Sequence, residues 1–177
     1  NSFDHIISLL REASVEPTVE SIHITLYRVS SSSKIANALI NAVKNGKKVV
    51  VVVELQARFD EENNIFWANK LRDDGATVIF GVPNLKVHSK LFLITAIEKG
   101  KTIYYAHIGT GNFNEKTAKV YTDLSLLTCD KRVTQEVSRV FEFFSDNFIV
   151  GNYSNIAVAP FNMRRKFVKL IDNEISN

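Results

Sequence analysis

A histidine and a lysine stand two residues apart in the stretch LKVHSKLFLI, where His88 and Lys90 open an apolar run. Side chains two residues apart in a strand lie on the same face of its sheet, so both groups are expected to face one ligand. A neutral imidazole is a nucleophile, and a nearby ammonium lowers its pKa and offsets the charge of a bound phosphate. The pair is therefore suited to phosphoryl transfer, although a lone strand histidine is more often structural.

Two arginines and a glycine-containing loop add further groups that bind phosphate. Arg28 ends one predicted strand, Arg58 follows another, and the loop GTGN begins at Gly109. Guanidinium groups bind phosphate oxygens through paired hydrogen bonds, and successive backbone N–H groups form concave anion sites. Gly109 and Gly111 would let the backbone approach a phosphate, and Asn112 would donate from its amide.

Each of these residues also has a structural interpretation. Arg58 could pair with Asp60 at the start of a helix, and Arg28 could be a surface charge at a strand end. A GTGN loop is a weak signal alone, because many turns after strands look similar. His107, beside that loop, is interpreted as a packing residue or as support for the site. The chemical interpretation therefore depends on whether the whole set lies in one place.

Hydrophobic periodicity predicts the elements that would bring these residues together. In the first half of the chain helices and strands alternate, and we predict them over residues 3–13, 21–28, 34–46, 47–55, 60–75 and 76–80. This alternation is typical of right-handed crossovers and of a parallel sheet.

The second half begins with a hairpin. Strands are predicted over residues 89–97 and 101–108, on either side of the turn EKGK, and such a pair is antiparallel. A strand at 121–128 and helices at 131–148 and 161–176 follow. The fold class is therefore predicted to be α/β, with a mixed sheet (a parallel part plus an antiparallel hairpin) sandwiched between helices.

This topology predicts a common edge for the polar groups. Ligands of open α/β sheets bind beyond the carboxyl ends of the parallel strands, where Arg28 and Arg58 are expected. Antiparallel pairing places the start of the first hairpin strand beside the end of the second, which brings His88 and Lys90 next to Asn112. If the first hairpin strand also runs against the parallel strands, all five groups converge.

Composition limits the classes of function. The chain has 177 residues, a net charge of +3 and a single cysteine, Cys129, which excludes a disulfide framework and a thiolate metal cluster. The mild positive charge fits anionic substrates, and we expect no nucleic acid as a partner. We find no apolar run that could span a bilayer and no secretory leader. A cytoplasmic location is expected, with peripheral membrane attachment left open.

The motifs HSK and GTGN resemble the H-x-K and G-x-x-N elements of the phospholipase D superfamily, in which a histidine forms a covalent phospho-intermediate. The resemblance implies a phospholipase D-like fold. The superfamily pattern continues with an aspartate five residues after the lysine, where this chain has Thr95. Asp123, in YTDLSLLT, is a candidate for the missing carboxylate, and a structural role for it is the alternative.

A narrower resemblance covers nearly the whole chain. ITLYRVSSSSKIANALINAVKNGKKVVVVVELQARFDEENN, LKVHSKLFLI, AHIGTGNFNEKTAKVYTDLSLLT and VAPFN are similar, in order and spacing, to the catalytic region of the polyphosphate kinases of the first class. The combination of ELQARFDEENN with YAHIGTGNFNEKTAKVYTD is highly specific for that family.

The narrower resemblance implies reversible, Mg²⁺-dependent transfer of the terminal phosphate of ATP to inorganic polyphosphate through a phosphohistidine. It places the phosphohistidine at His88, two magnesium-associated arginines at Arg28 and Arg58, and a nucleotide-contacting tyrosine at Tyr121. Arginine cannot donate a lone pair to a metal. Both guanidiniums are therefore expected to contact phosphate oxygens, with Mg²⁺ nearby or bridged through water, while Lys90 neutralises further charge.

Family members have two phospholipase D-like domains that jointly build the site, and they assemble as oligomers. The resemblance thus implies that residues 1–155 form the first of these domains and that residues 156–177 form a helix leading into the next. It also implies a homo-oligomer. Because this chain contains one H-x-K element, we expect it to fold by itself but to lack robust kinase activity.

Two other functions remain open at this stage. A phosphodiesterase or transphosphatidylase of the same superfamily would cleave bis-esters without ATP, and the missing aspartate at Thr95 counts against it. A non-catalytic polyanion-binding module would bind polyphosphate equally well after His88→Ala and would form no phosphoenzyme. The intact H-x-K and GTGN elements argue against the binding module.

Overall fold

The computed structural model describes residues 3–55 and 61–176. Its helices are α1 (Asp4–Val15), α2 (Lys34–Lys44), α3 (Glu61–Asp73), α4 (Lys131–Ser145) and α5 (Met163–Ser176). Its strands are β1 (Val19–Leu26), β2 (Lys48–Val53), β3 (Thr77–Phe80), β4 (Lys90–Glu98), β5 (Lys101–Gly109) and β6 (Ser125–Thr128). A short 3₁₀ turn, Thr117–Lys119, lies between β5 and β6.

The six strands form one mixed sheet in the order β3-β2-β1-β4-β5-β6. The neighbours β1, β2 and β3 pair in parallel. In contrast, β4 runs antiparallel to both β1 and β5, and β5 runs antiparallel to β6. The predicted α/β fold, with a parallel part and an antiparallel hairpin, is confirmed.

Helices cover both faces of this sheet and create two cores. Phe92 and Ile94 of β4 belong to the core under α1, α2 and α3. Leu91 and Leu93 belong to the core under α4. Because side chains alternate between the faces of a strand, a continuous apolar run such as LFLI is what a strand covered on both sides requires.

Two elements differ from their predicted bounds by three residues or more at one end. The strand predicted over residues 121–128 begins only at Ser125. Before it the Thr110 backbone N–H still donates to the Leu124 carbonyl, but the Leu124 N–H donates to the Thr110 hydroxyl, which in turn donates to Asp123. The helix predicted over 131–148 ends at Ser145. There the Asp146 carboxylate accepts from the Phe148 N–H, a local bond that competes with the helical pattern.

Buried Glu136 of α4 fastens the segment that leads to α5. Its carboxylate accepts hydrogen bonds from the backbone N–H groups of Ser154, Asn155 and Ile156 at 2.8 to 3.1 Å. α5 itself has no buried side chain. The division of the chain at residues 155 and 156 stays a prediction, although the anchored segment lies on both sides of it. No helix within the described residues is long and apolar enough to cross a membrane.

Candidate active site

Those polar groups predicted to converge that the structure describes lie at one edge of the sheet. Arg28 is two residues beyond the carboxyl end of β1, and His88 is two residues before β4. Since β4 runs antiparallel to β1, the start of one lies beside the end of the other. Lys90 pairs with Gly109, so the GTGN loop leaves the sheet at the same place. Arg58 lies outside the described residues.

His88 and Lys90 form the centre of this edge. The His88 side chain is exposed, whereas Lys90 is only 5% exposed. The Lys90 ammonium donates to the His88 carbonyl oxygen at 2.5 Å and lies 3.1 Å and 3.2 Å from the two imidazole nitrogens. Because these two distances are nearly equal, the ammonium does not select one tautomer of the ring. An accessible imidazole therefore lies against a buried positive charge.

The electrostatics keep the imidazole neutral at neutral pH. Partial burial lowers the pKa of His88 below its ordinary value, and the charges of Lys90, Lys86 and Arg28 lower it further. Burial also lowers the pKa of Lys90 to about 8; Asp123 opposes this shift and Arg28 adds to it. A neutral nucleophile beside a charged ammonium is the combination that attack on a phosphate requires.

Two residues that the sequence analysis missed complete this centre. The ring of Tyr27 lies 4.5 Å from the His88 ring at an angle of 77°. The ammonium of Lys86 lies 5.9 Å from the centre of the Tyr27 ring. The signal for Lys86 was available, because Lys86, His88 and Lys90 alternate in KVHSK and thus share a face. Nothing in the sequence pattern singled out Tyr27.

Buried polar side chains hold the segment that carries His88. The Thr25 hydroxyl donates to the Ser89 carbonyl at 2.7 Å and accepts from the Leu91 N–H at 3.0 Å. The Glu54 carboxylate accepts from the Val87 N–H at 2.9 Å. These bonds fix the backbone on both sides of His88. Glu54 could have been noticed, since a carboxylate at the end of a buried β-branched run needs a partner.

Asn64, which is fully buried, joins the carboxyl ends of β1 and β2. Its amide nitrogen donates to the carbonyls of Tyr27 and Glu54, at 2.7 Å and 2.9 Å. Its amide oxygen accepts from the Val29 N–H at 3.2 Å. One side chain on α3 thereby sets the backbone that precedes and follows Arg28.

Close packing leaves no room for a side chain at either glycine of GTGN. A Cβ atom on Gly109 would lie 2.5 Å from Cε1 of His107, and one on Gly111 would lie 2.3 Å from an oxygen of Asp123. Neither glycine has a positive φ, so room is what the structure requires of both. Their predicted approach to phosphate stays a prediction. The Asn112 side-chain oxygen is buried and has no partner among the described residues.

His107 packs in the core beside the loop. Its ring stacks on Phe92 at 4.9 Å and 16°, lies 5.3 Å from the Phe113 ring, and is 2% exposed. Its Nε2 lies 3.1 Å from the Ser125 hydroxyl of β6. Burial lowers the pKa of His107 to about 4. These contacts agree with the interpretation of His107 as a packing residue.

Acidification is expected to destabilise the fold through His107. The unfolded chain binds a proton at this residue below pH 6.5, whereas the folded chain binds it only below about pH 4. The free energy of unfolding should therefore be highest above pH 6.5 and decrease by up to about 3 kcal/mol across this window. Urea unfolding at several pH values measures the decrease.

His107→Gln should flatten this pH dependence, and the same change at exposed His5 serves as the matched control. Part of the slope should persist, because burial also lowers the pKa of His23, with a smaller contribution from Lys48. An equally steep slope in His107→Gln would show that other groups cause the acid sensitivity.

Thr95 lies away from this centre, and Tyr121 is an exposed residue on the segment that leads to β6. Thr95 pairs with Ser21 and Tyr104 in the far part of the sheet. It is seven residues beyond His88, roughly 23 Å of extended chain. An aspartate at that position could not contact the histidine, so its absence does not count against a phosphodiesterase, contrary to our expectation. Tyr121 is 66% exposed on the segment before β6.

The described residues contain no group of three or more His, Cys, Asp or Glu that could hold a metal ion. The charged groups that act on His88 are the cations Lys90, Lys86 and Arg28, which repel metals. Mg²⁺ prefers oxygen ligands, keeps several waters and is commonly held by substrate phosphates. The donors among the described residues therefore fit a metal that arrives with an anionic substrate better than a metal that they would hold themselves.

Comparison with known proteins gives a consistent assignment. A family model described as polyphosphate kinase C-terminal domain 1 matches residues 1–149. The polyphosphate kinases of Escherichia coli strain K12 and Salmonella typhimurium strain LT2 are each 53% identical to this chain over 177 residues, 100% of this chain and 26% of theirs. The chain thus spans about a quarter of the length of these curated relatives.

Solved structures agree with the sequence comparison. The crystal structure of polyphosphate kinase from Porphyromonas gingivalis matches with a TM-score of 0.87 and 39% identity, over 99% of this chain and 29% of that chain. Nuc from Salmonella typhimurium, a phospholipase D family member, matches with a TM-score of 0.59 over 83% of this chain and 90% of that chain. At 17% identity the second likeness shows the fold alone.

Proposed function

Because this chain belongs to the polyphosphate kinase family, we propose that it carries the phosphate-accepting histidine of an ATP:polyphosphate phosphotransferase. The observation that carries the proposal is the accessible, neutral imidazole of His88 against the buried ammonium of Lys90. A histidine that only packs in the core would be buried, as His107 is. His88 is open to a ligand on the side where the cations of the edge converge.

The first half-reaction is an in-line attack on ATP. A nitrogen of neutral His88 forms a bond to the γ-phosphorus, the bond from that phosphorus to the β,γ-bridging oxygen breaks, and ADP leaves with the electron pair. In the second half-reaction a terminal oxygen of polyphosphate attacks the phosphohistidine, and the P–N bond breaks. Both steps run in either direction, since each exchanges one phosphoryl bond for another.

The surrounding cations have the task of stabilising charge. Lys90 and Arg28 would neutralise charge that spreads over the equatorial oxygens in the transition state, and Arg58 is proposed to act with them. Asn112 would donate an amide hydrogen bond to the same oxygens. Tyr121 is proposed to contact the nucleotide.

Gly109 and Gly111 are proposed to bring backbone N–H groups near the phosphate, in addition to making room for their neighbours. Magnesium is proposed to enter with the phosphates of ATP, which would supply its oxygen ligands and reduce the charge that the protein must neutralise. Arg28 and Arg58 would then contact the phosphates, and the metal would be close to them without being bound by them.

The test is transfer of label to the complete natural protein that contains this chain. Incubation with γ-labelled ATP and Mg²⁺ should give protein-bound label that is labile in acid and stable in base, as phosphohistidine is. ATP labelled at the α-phosphate is the matched control and should give none. Added polyphosphate should remove the label and carry it into the polymer. Absence of label on the protein would leave the binding-module interpretation standing.

The phosphodiesterase alternative is favoured by the phospholipase D-like fold and is no longer opposed by Thr95. That reaction would also form a phosphohistidine, but from a bis-ester and without ATP. Hydrolysis of bis(p-nitrophenyl) phosphate under the same conditions distinguishes the two reactions. We expect none above background.

The pH dependence of phosphoenzyme formation is a further expected result. At low ATP the rate should rise with pH as His88 loses its proton, below pH 6.5, and decrease again near pH 8, where Lys90 loses its proton. The rate under these conditions follows kcat/KM, which reports the groups of the free enzyme. Lys90→Arg should remove the alkaline decrease, because arginine stays protonated. A decrease that persists in this variant would assign the alkaline limb to another group.

The remainder of the protein is proposed to complete the site. Val120, Tyr121 and Leu124 are 79%, 66% and 75% exposed next to it. Apolar side chains in such a position are suited to contact with another domain. We propose the second phospholipase D-like domain of the same chain as that contact. The homo-oligomer, the cytoplasmic location and the use of ATP and polyphosphate as substrates remain proposals of the same kind.

A further inference from the structure

One aromatic ring stands among the cations of the site. The centre of the Tyr27 ring lies 5.0 Å from the Lys90 ammonium, 5.9 Å from the Lys86 ammonium and 5.8 Å from the Arg28 guanidinium carbon. The same ring meets the His88 imidazole nearly at a right angle, with 4.5 Å between ring centres. Tyr27 thus contacts three cations of the site and the imidazole of His88.

Such a cluster needs something that opposes its own repulsion. Three cations near one point repel each other, and the charge of Asp123 offsets part of this repulsion at Lys90. The face of an aromatic ring carries negative potential and attracts ammonium and guanidinium groups within about 6 Å. The perpendicular arrangement with His88 is one that aromatic pairs prefer. The ring can therefore hold the cations and the imidazole in place without neutralising them.

The backbone that carries the Tyr27 ring is held by hydrogen bonds to Asn64. The Tyr27 carbonyl accepts a hydrogen bond from the amide of buried Asn64 at 2.7 Å. The neighbouring Val29 N–H donates to the same amide. The backbone that carries the ring is thus fixed to α3.

We propose that Tyr27 is a positioning residue for phosphoryl transfer, whose aromatic ring holds Lys86, Lys90 and Arg28 apart and fixes the orientation of the His88 imidazole. This inference rests on the proposed function and deepens it. The ring acts through the groups around it and takes no part in bond making. The ring is the required feature, and the phenol hydroxyl is not.

Two substitutions separate the ring from the hydroxyl. Tyr27→Phe keeps the ring and its cation contacts, whereas Tyr27→Leu removes the ring and leaves an apolar side chain. Phosphoramidate is the probe, because it phosphorylates histidine without ATP: the imidazole nitrogen bonds to phosphorus, the P–N bond of the reagent breaks, and ammonia leaves. Peptide mapping of the complete protein gives the rate at His88, with the exposed His5 as internal reference.

The expected result is a rate at His88 in Tyr27→Phe within about twofold of the unmutated protein, and a rate at least about tenfold lower in Tyr27→Leu. The rate at His5 should not change in either variant. Phosphoenzyme formation from γ-labelled ATP should follow the same order: the Phe variant should keep the rate that the Leu variant loses. If circular dichroism shows that Tyr27→Leu does not fold, Tyr27→Met, which also fills the space without a ring, replaces it.

Two results would overturn the proposal. Equal rates at His88 in all variants would show that the ring does not affect phosphorylation of His88. Equal losses in the Phe and Leu variants would show that the hydroxyl, and not the ring, is the required group. Failure of the proposed function looks different. In that case ATP gives no label even on the unmutated protein, while the phosphoramidate comparison still decides what the ring does.

Discussion

Replacement of His88 by alanine is expected to abolish the acid-labile label from γ-labelled ATP and to lower phosphate transfer at least about a thousandfold. The reason is that the two half-reactions share one covalent intermediate, and the variant has no atom that could hold the phosphate between them. Removing a covalent nucleophile usually costs more than removing any group that merely stabilises charge. The label on the protein and the rate of polymer formation are both measured.

The matched control is His5→Ala, which removes an exposed imidazole from α1, far along the chain from the site. It should keep full labelling. His88→Ala should also retain its affinity for polyphosphate within a few-fold, because the cations that attract the polymer remain. A variant that loses binding together with labelling would mean that the substitution damaged the cleft.

Residual labelling of His88→Ala has a specific meaning. Label on a peptide that contains another histidine of the chain would assign the nucleophile to that histidine. His107 is a poor candidate, since it is buried and stacked on Phe92. His23 is partly buried and lies 5.5 Å from the Phe141 ring of α4. His88 alone combines exposure with surrounding cations among the histidines that the structure describes.

The meeting of these cations could be predicted from the sequence because it depends on topology. Alternating helices and strands predicted the parallel part, and the turn EKGK predicted the hairpin. Antiparallel pairing then required Lys90 to lie beside the GTGN loop, and it pairs with Gly109. The period of two also placed His88 and Lys90 on one face. These inferences use only strand direction and side-chain alternation, both of which a pattern of residues determines locally.

The supports of the site could not be predicted in the same way. Asn64 joins Tyr27 to Glu54 through bonds that span 37 and 10 residues of chain. Thr25 bonds to Ser89, 64 residues away. A single asparagine in a helix or a threonine in a strand gives no signal of such a partner. Contacts of this kind depend on how loops leave the sheet, which hydrophobic periodicity does not describe.

Thr95 shows how a motif can mislead when it is taken as a set of ligands. The superfamily pattern places an aspartate close to the histidine in sequence, and its absence from this chain suggests a difference in chemistry. In the fold, position 95 pairs with Ser21 and Tyr104, away from His88. Residues that are close in sequence can be far apart in space when they lie along one strand, because each residue adds roughly 3.3 Å. The choice between kinase and phosphodiesterase must therefore rest on the substrate.

Gly109→Ala is expected to destabilise the fold by about 1 to 3 kcal/mol, and His107 is the reason. The new Cβ would lie 2.5 Å from Cε1 of the His107 ring. That ring cannot move away easily, because it lies between Phe92 and Phe113. The backbone cannot move easily either, since Gly109 pairs with Lys90 on one side and Ser125 on the other. Urea unfolding at neutral pH measures the cost.

The double variant determines what the glycine is for. His107→Ala removes the ring and is destabilising by itself, but in that background Gly109→Ala should cost little, so the two costs should fall short of additivity by about 1 to 3 kcal/mol. Gly100→Ala is a contrasting control, because no atom lies within 4 Å of its new Cβ and only its positive φ opposes the change. Its cost should not depend on His107.

If Gly109 instead served only the approach of a phosphate, Gly109→Ala would lower phosphoenzyme formation without lowering stability, and removal of the His107 ring would not restore it. Additive costs would therefore contradict the packing explanation, while coupling would mean that the first glycine of GTGN is fixed by a buried histidine as well as by the substrate.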